Sequence, residues 1–405
     1  MPIKLLIFLV CVTCFSQNKP VDATKLLDTE LDALHRKGFF TGFSVAIVNA
    51  NGTLYAKGFG SSDLALGKPY TAKTIQNIGS VSKTVVGIAV MKVVELGKLN
   101  LDDDINKYLP FAVSNPDFPN IPITIRQLAN HTSSIVDTDV YLNHNYFLKP
   151  NQDLTGLPLE YEDQKFIEPS QALTLENYLK AALTTNGKFY DKSIFDGKPG
   201  AFYQYSNTGT ALAALVVEKA AGMPFRTFTQ RYILDPLKMK ASGWGFSMVD
   251  FNSYSRLYAN PESPLPFYEL TTYPDGNFVT SADDISHFLT ELIKGYQGRG
   301  TLLSAKNYSE YFRPQLGPEN FKERSQKNPY DESYNVGIFM GFGHTGTIGH
   351  TGGDPGVTTL MFIDPQTKIG RYLVTNTNFS NKEGMRNFYA IWDALEKYAP
   401  QLDTP

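Results

Sequence analysis

The chain has 405 residues, 42% hydrophobic and 13% aromatic, with 37 basic against 40 acidic side chains and a formal net charge of -3. This composition belongs to a globular protein able to bury a large core, and excludes a chain disordered throughout. No basic run or basic helix stands out, so a nucleic-acid partner has no electrostatic support.

Met1-Pro2-Ile3-Lys4 precedes an apolar run, Leu5 to Phe15, and then Ser16-Gln17. One basic residue, a short hydrophobic core and small residues at Cys14 and Ser16 are expected to form a signal peptide, residues 1–16, cleaved near Ser16. The alternative is a membrane anchor, but the run falls short of the ~18–20 apolar residues that span a bilayer. Export to the periplasm or the exterior is therefore expected, with no transmembrane anchor after cleavage. Cys11 and Cys14 are the chain's two cysteines and lie inside this segment; lipid attachment at either is a weaker alternative, since Val10 and Thr13 before them are not the small residues usually found there. The mature chain, 17–405, is then one domain without a thiol, held by its core alone.

Residues 22 to 36 read as an amphipathic helix. Phe43 to Asn49 and Thr53 to Gly58 read as strands joined at Asn51-Gly52, a strong hairpin signal. Ser80 to Leu96 is apolar round most of its circumference and reads as a buried helix closed by Gly97. From about 101 to 271, shorter helical segments alternate with loops rich in Pro, Tyr, Asn and Asp, as in a mostly helical insertion. Its Tyr-rich stretch, Tyr141 to Tyr146, is expected either to touch substrate or to form ordinary surface loops. Ser281 caps a helix with Ile285, Phe288, Leu289, Leu292 and Ile293 on one face and Asp283 and Asp284 in its first turn. Strand signals follow at Val336 to Phe342, Thr347 to His350, Thr358 to Ile363 and Gly370 to Thr375. A last helix, Lys382 to Tyr398, presents Met385, Phe388, Trp392 and Leu395. Strands from both ends of the chain, with helices between, predict an α+β fold: one antiparallel sheet flanked by helices, built from about 22–100 and 272–405.

Ser80-Val81-Ser82-Lys83 opens the buried helix, and residues three apart share a helical face, so hydroxyl and amine can meet. A helix N-terminus favours negative charge on the serine oxygen, and burial lowers a lysine pKa until its amine can take the serine proton. The spacing alone is a weak signal, since Ser16-Gln17-Asn18-Lys19 shares it. Tyr205-Ser206-Asn207 precedes an apolar helix, Leu212 to Ala221. Its phenol can exchange protons beside an ammonium, and its carboxamide can bind a substrate carbonyl or amide. Tyr141-Leu142-Asn143 and Tyr258-Ala259-Asn260 have the same pattern. His350-Thr351-Gly352-Gly353 lies between strand-like segments, where glycines let a substrate backbone approach and a main-chain N–H can complete an oxyanion hole. His344-Thr345-Gly346 is a near copy. The remaining histidines, His35, His131, His144 and His287, show no metal-ligand spacing, so neither a metal nor another cofactor is expected.

Taken together, Ser-x-x-Lys, Tyr-x-Asn and His-Thr-Gly, in that order, resemble the three-motif signature of class C β-lactamases, DD-carboxypeptidases, D-aminopeptidases and β-lactamase-like esterases. Residues 41–376 carry the resemblance. It includes Gly97-Lys98-Leu99-Asn100-Leu101-Asp102-Asp103, Ile123-Thr124-Ile125-Arg126-Gln127-Leu128 and His131-Thr132-Ser133-Ser134. The trailing Thr208-Gly209 selects Tyr205 over its two look-alikes, and Asp354-Pro355-Gly356 selects His350 over His344. The resemblance implies the β-lactamase/DD-peptidase-like fold, with Ser80 as nucleophile and Lys83 and Tyr205 as proton-handling partners. It further implies that Asn207, His350, Thr351 and Gly352 bind substrate, and that the amides of Ser80 and Gly353 form the oxyanion hole. Many β-lactamases carry Lys where this chain has His350. A partly charged histidine implies weaker or pH-dependent carboxylate recognition, and so a peptide or amide hydrolase before an esterase or weak β-lactamase. A sensor of cell-wall peptides or penicillins that does not turn over is the non-enzymatic alternative.

Overall fold

The computed structural model describes residues 22–322, 334–343, 346–379 and 381–403. The expected signal peptide, residues 1–16, and residues 344 and 345 of the near copy lie outside the described residues. Helix α1 (Ala23–His35) starts where the Asp22 carboxylate accepts the Lys25 N–H. Strands β1 (Gly42–Asn49) and β2 (Gly52–Asp63) form the expected hairpin, with β2 running further than its apolar pattern indicated. The tight turn itself is Ala50-Asn51, one residue before the expected pair. Asn49 pairs with Gly52, and the Asn49 side chain accepts the N–H groups of Asn51 and Gly52.

β3 (Lys68–Pro69) is followed by α2 (Ser82–Glu95). The region 101–271 contains α3 (Leu175–Leu183) and α4 (Asn207–Ala221), shorter helices, and two-stranded ladders such as Tyr146–Leu148 with Tyr268–Leu270. Helix α5 (Ala282–Tyr296) is capped by Ser281, whose hydroxyl accepts the Asp284 N–H at 3.1 Å. The chain then adds β4 (Asn335–Val336), β5 (Gly341–Phe342), β6 (Ile348–Asp354), β7 (Val357–Asp364), β8 (Ile369–Thr375) and α6 (Lys382–Leu402). These make one eight-stranded antiparallel sheet in the order β4-β5-β6-β7-β8-β1-β2-β3, so strands from the two ends of the chain pair at β1 and β8. The α+β architecture, an antiparallel sheet with helices on its faces, is as expected.

Alternation along β1 splits the core. Phe43, Val45 and Ile47 pack with Leu27 and Leu31 of α1 and with Phe388, Ile391 and Leu395 of α6, while Ala46 and Val48 join the core built by α2 and α5. Each fully buried aliphatic or aromatic side chain here contributes ~1.5–3 kcal/mol of transfer free energy. Helix α2 is buried from Ser82 through Met91 and packs chiefly against α4, with the helix Ala305–Tyr311, the turn Tyr273–Asp275 and β6 also touching it.

Three expectations need correcting. Val336 to Phe342 is not one strand: Phe339 adopts φ of 54° and separates β4 from β5. The buried face of α6 is Phe388, Ile391, Leu395 and Tyr398, whereas Met385 is exposed, because the 3.6-residue repeat carries that face away from position 385. The strand expected to end at His350 continues as β6 through Thr351, Gly352 and Gly353 to Asp354, with Thr351 to Gly353 paired to Leu360 to Thr358. Among the described residues, no helix is long and apolar enough to cross a membrane.

Candidate active site

Ser80 sits in a 3-10 turn, Gly79–Val81, that leads into α2, one step earlier than the helix expected to begin at Ser80 itself. The turn is pinned by Ser82, whose Oγ donates to the Gly79 carbonyl at 2.6 Å and accepts the Phe278 N–H at 3.1 Å. Lys83 points back along the same side and is fully buried. Its Nζ donates to Ser80 Oγ at 3.0 Å, Asn207 Oδ1 at 2.7 Å and the Asp275 carbonyl at 2.7 Å. Three acceptors for three N–H groups fully satisfy an ammonium. Burial nonetheless pushes the Lys83 pKa down, opposed by the charges of Asp275, Asp137 and Asp354.

Asn207 is the first residue of α4, whose N-cap is Ser206, with its hydroxyl accepting the Gly209 N–H at 2.9 Å. Asp137 completes that helix start. Its carboxylate accepts the N–H groups of Asn207 at 2.8 Å and Thr208 at 2.9 Å, and the Thr208 hydroxyl at 2.7 Å. The Tyr205 ring has the Lys83 Nζ 5.0 Å from its centroid, the His131 ring at 4.6 Å and the His350 ring at 6.1 Å. His131, at φ of 59°, embraces the tyrosine from both sides: its carbonyl accepts the Gln204 N–H and its Nδ1 the Ser206 N–H. Burial, then the charges of Lys83 and His350, hold this imidazole neutral.

Strand β6 reaches Ser80 through glycine. A Cβ on Gly352 would stand 2.2 Å from the Ile78 carbonyl and 3.2 Å from the Ser80 nitrogen, and one on Gly79 would stand 2.7 Å from the Gly353 nitrogen. The close approach of the two backbones requires glycine at both positions, and at Gly79 (φ 54°) the left-handed backbone requires it as well. The amides of Ser80 and Gly353 therefore lie on adjoining segments. His350 and Thr351 line the same cleft of about 1110 Å³ as Ser80, Tyr205 and Gly353. The His350 pKa is pushed down to about 4, first by burial and then by the Lys83 charge. His350 is itself half-buried, and both effects favour its uncharged imidazole over the partial charge of a free histidine.

Ser80, Tyr205, His350, Thr351 and Gly353 line this cleft, with Lys83, Asn207 and Gly352 directly behind them through Ser80. Sequence reasoning missed the carboxyls behind Lys83. Tyr141 and Tyr146 are buried instead of forming surface loops or lining the cleft; their hydroxyls donate to Asp275 and Asp354, each at 3.0 Å. Asp354 directly follows the third motif, and that adjacency was the one signal available. Among the described residues no group of three or more His, Cys, Asp or Glu is placed to hold a metal.

Comparison with known proteins gives the family and the fold. A family model described as Beta-lactamase matches residues 27–396. Protein flp of Staphylococcus aureus (strain MW2) is 24% identical over 367 residues, which cover 88% of this chain and 64% of that protein. The chain thus spans less than two thirds of that relative's length. Among solved structures, the octameric penicillin-binding protein homologue from Pyrococcus abyssi superposes with a TM-score of 0.71 at 21% identity, covering 92% of this chain and 77% of that one. The D-amino acid amidase from Ochrobactrum anthropi SV3, complexed with L-phenylalanine, gives a TM-score of 0.68 at 20% identity, covering 93% and 99%. At such identities the structural likeness establishes the fold.

Proposed function

The chain belongs to the beta-lactamase family and is by class a serine hydrolase, and from that premise we propose that it cleaves D-amino-acid peptides or related amides through an acyl-enzyme on Ser80. The observation that carries the reading is the 3.0 Å contact between the Lys83 Nζ and the Ser80 Oγ. In this reaction the Ser80 hydroxyl gives its proton to the pair formed by Lys83 and Tyr205. Its oxygen attacks the substrate carbonyl carbon, and the resulting oxyanion accepts the N–H groups of Ser80 and Gly353. Collapse breaks the C–N bond, and the departing amine takes the proton back from Tyr205 or Lys83. Water then attacks the ester and restores the Ser80 hydroxyl. Asn207 and the β6 segment His350-Thr351-Gly352 align the substrate.

A neutral His350 supports a neutral amide or peptide carbonyl as the target and supplies no permanent cation for a β-lactam carboxylate. The same absence of charge favours a second reading, a carboxylesterase with weak β-lactamase activity. Export to the periplasm or beyond fits both readings and is tested by fractionating cells that express the tagged full chain.

Incubation with a fluorophosphonate or fluorescent penicillin should label the chain on Ser80, and Ser80→Ala should not be labelled. Rates on a D-Ala-D-Ala peptide, a p-nitrophenyl ester and nitrocefin then rank the substrate classes. Failure of every probe to label Ser80 overturns the proposal; a lasting acyl adduct with the peptide and ester substrates themselves, without turnover, would make the protein a sensor.

A further inference from the structure

Behind Lys83 lies a carboxyl that the proposed reaction does not use. Asp275 ends the turn Tyr273–Asp275, its carbonyl accepts the Lys83 Nζ at 2.7 Å, and its side chain is buried at 1% exposure. Oδ1 accepts the Tyr141 hydroxyl at 3.0 Å, and Oδ2 has no hydrogen-bond partner. A second acid backs it. Asp354, at the end of β6, accepts the Tyr146 hydroxyl at 3.0 Å, and its own unpartnered Oδ2 would stand 3.0 Å from a Cβ on Gly276, the residue after Asp275. The Tyr141 and Tyr146 rings meet edge to face at 6.2 Å, so the two acids are held by one aromatic pair.

We propose that Asp275 is a positioning residue for Lys83, its carbonyl fixing the amine in place and its carboxyl deciding whether that amine carries a proton. The inference rests on the acyl-enzyme reading above, with the neutral amine of Lys83 as the base. Lys83 and Asp275 are both buried and each feels the other's charge, so the two titrate as a pair, with either ammonium and carboxylate or amine and carboxylic acid. Only the second form leaves a lone pair on Nζ for the Ser80 proton. Burial drives both partners that way, pushing Asp275 up to about 8 and Lys83 down. The other titratable groups facing Lys83 have different commitments. Asp137 caps α4, His131 and His350 are held neutral, Tyr205 lies over the ammonium, and Asp354, held by Tyr146, is pushed up to about 7 by its burial.

The test is the pH dependence of Ser80 labelling by a fluorophosphonate, measured on the full chain and on Asp275→Asn and Tyr141→Phe. Asparagine cannot form the carboxylate that holds Lys83 protonated, so the acid limb should move down by about one pH unit and become a single step. Phenylalanine removes the hydrogen bond that favours the carboxylate, so its limb should move the same way by less. A purely structural role would lower the rate at every pH without moving the limb, and that result, or superimposable limbs, overturns the inference. If Asp275→Asn does not fold by circular dichroism, Tyr141→Phe decides alone. Failure to label the unsubstituted chain takes down the acyl-enzyme reading and this inference together; labelling with unmoved limbs takes down the inference alone.

Discussion

The Nζ of Lys83 and the Oδ1 of Asn207 lie 2.7 Å apart, tying the first turn of α2 to the first residue of α4. This contact is what makes two distant motifs one site. Asn207→Ala would strand a buried N–H of the ammonium at a cost of about 1–3 kcal/mol, hence a fall of roughly 5- to 150-fold in the Ser80 labelling rate. Asn207→Asp keeps an acceptor but adds a carboxylate that favours the ammonium, so its labelling should need a higher pH. Stopped-time gel fluorescence across pH distinguishes the two, and an alanine variant as fast as the parent would refute the role.

Gly352 and Gly353 are neighbours with opposite tolerance. An added Cβ meets the Ile78 carbonyl at 2.2 Å from Gly352 but nothing within 4 Å from Gly353. Gly352→Ala should therefore push β6 away from the Ser80 turn, separating the two amides and slowing acylation by about 10²-fold or more, the scale of losing an oxyanion-hole donor. Gly353→Ala keeps its N–H and should label within a few-fold of the parent. Equal rates for the two variants would mean that the contact does not set the oxyanion geometry.

Asp137 holds the start of α4 with one carboxylate for two main-chain N–H groups and a hydroxyl. Asp137→Ala should cost about 1–2 kcal/mol of stability, the usual loss for a helix cap. Asp137→Asn, which retains one acceptor oxygen, should cost less. Thermal unfolding reads both, and because Asn207 sits on that helix end, the alanine variant should also acylate more slowly. A stable but slow variant would place the effect on alignment; an unchanged one would remove Asp137 from the site.

How much of this was legible beforehand follows from how far each signal reaches along the chain. The β1–β2 hairpin, the Ser281 cap and the pairing of Ser80 with Lys83 rest on residues a few positions apart, and each was read from the sequence. The convergence of Tyr205 and His350 on Lys83 followed from family resemblance, because no local rule brings residues more than a hundred positions apart together. Asp275 and Asp137 were invisible for the same reason: a carboxylate between turn residues looks the same whether it is solvated or buried under a tyrosine. The split of 336–342 into two short strands depends on the positive φ of Phe339, where its β-rich composition argued for one continuous strand. Motif three was expected between strand-like segments, its glycines read as room for a substrate backbone. In β6 they are there for the close approach to Ser80.

His350 decides which substrates the cleft can hold by charge. With its pKa pushed down to about 4 the half-buried imidazole favours its neutral form, so the sign is fixed: protonation helps an anionic substrate more as the pH falls. The ratio of kcat/KM for a peptide ending in a free carboxylate to that for its C-terminal amide should therefore be flat from about pH 6 to 8. His350→Lys should raise that ratio about tenfold at neutral pH, since an ammonium near a carboxylate is worth on the order of 1–2 kcal/mol at a partly solvated site. The gain should fade at high pH, because the same burial that lowers the histidine also makes the lysine lose its proton early. A parent enzyme whose carboxylate preference already climbs between pH 8 and 6 would show that His350 titrates there, and the neutral-imidazole account of its specificity would have to be abandoned.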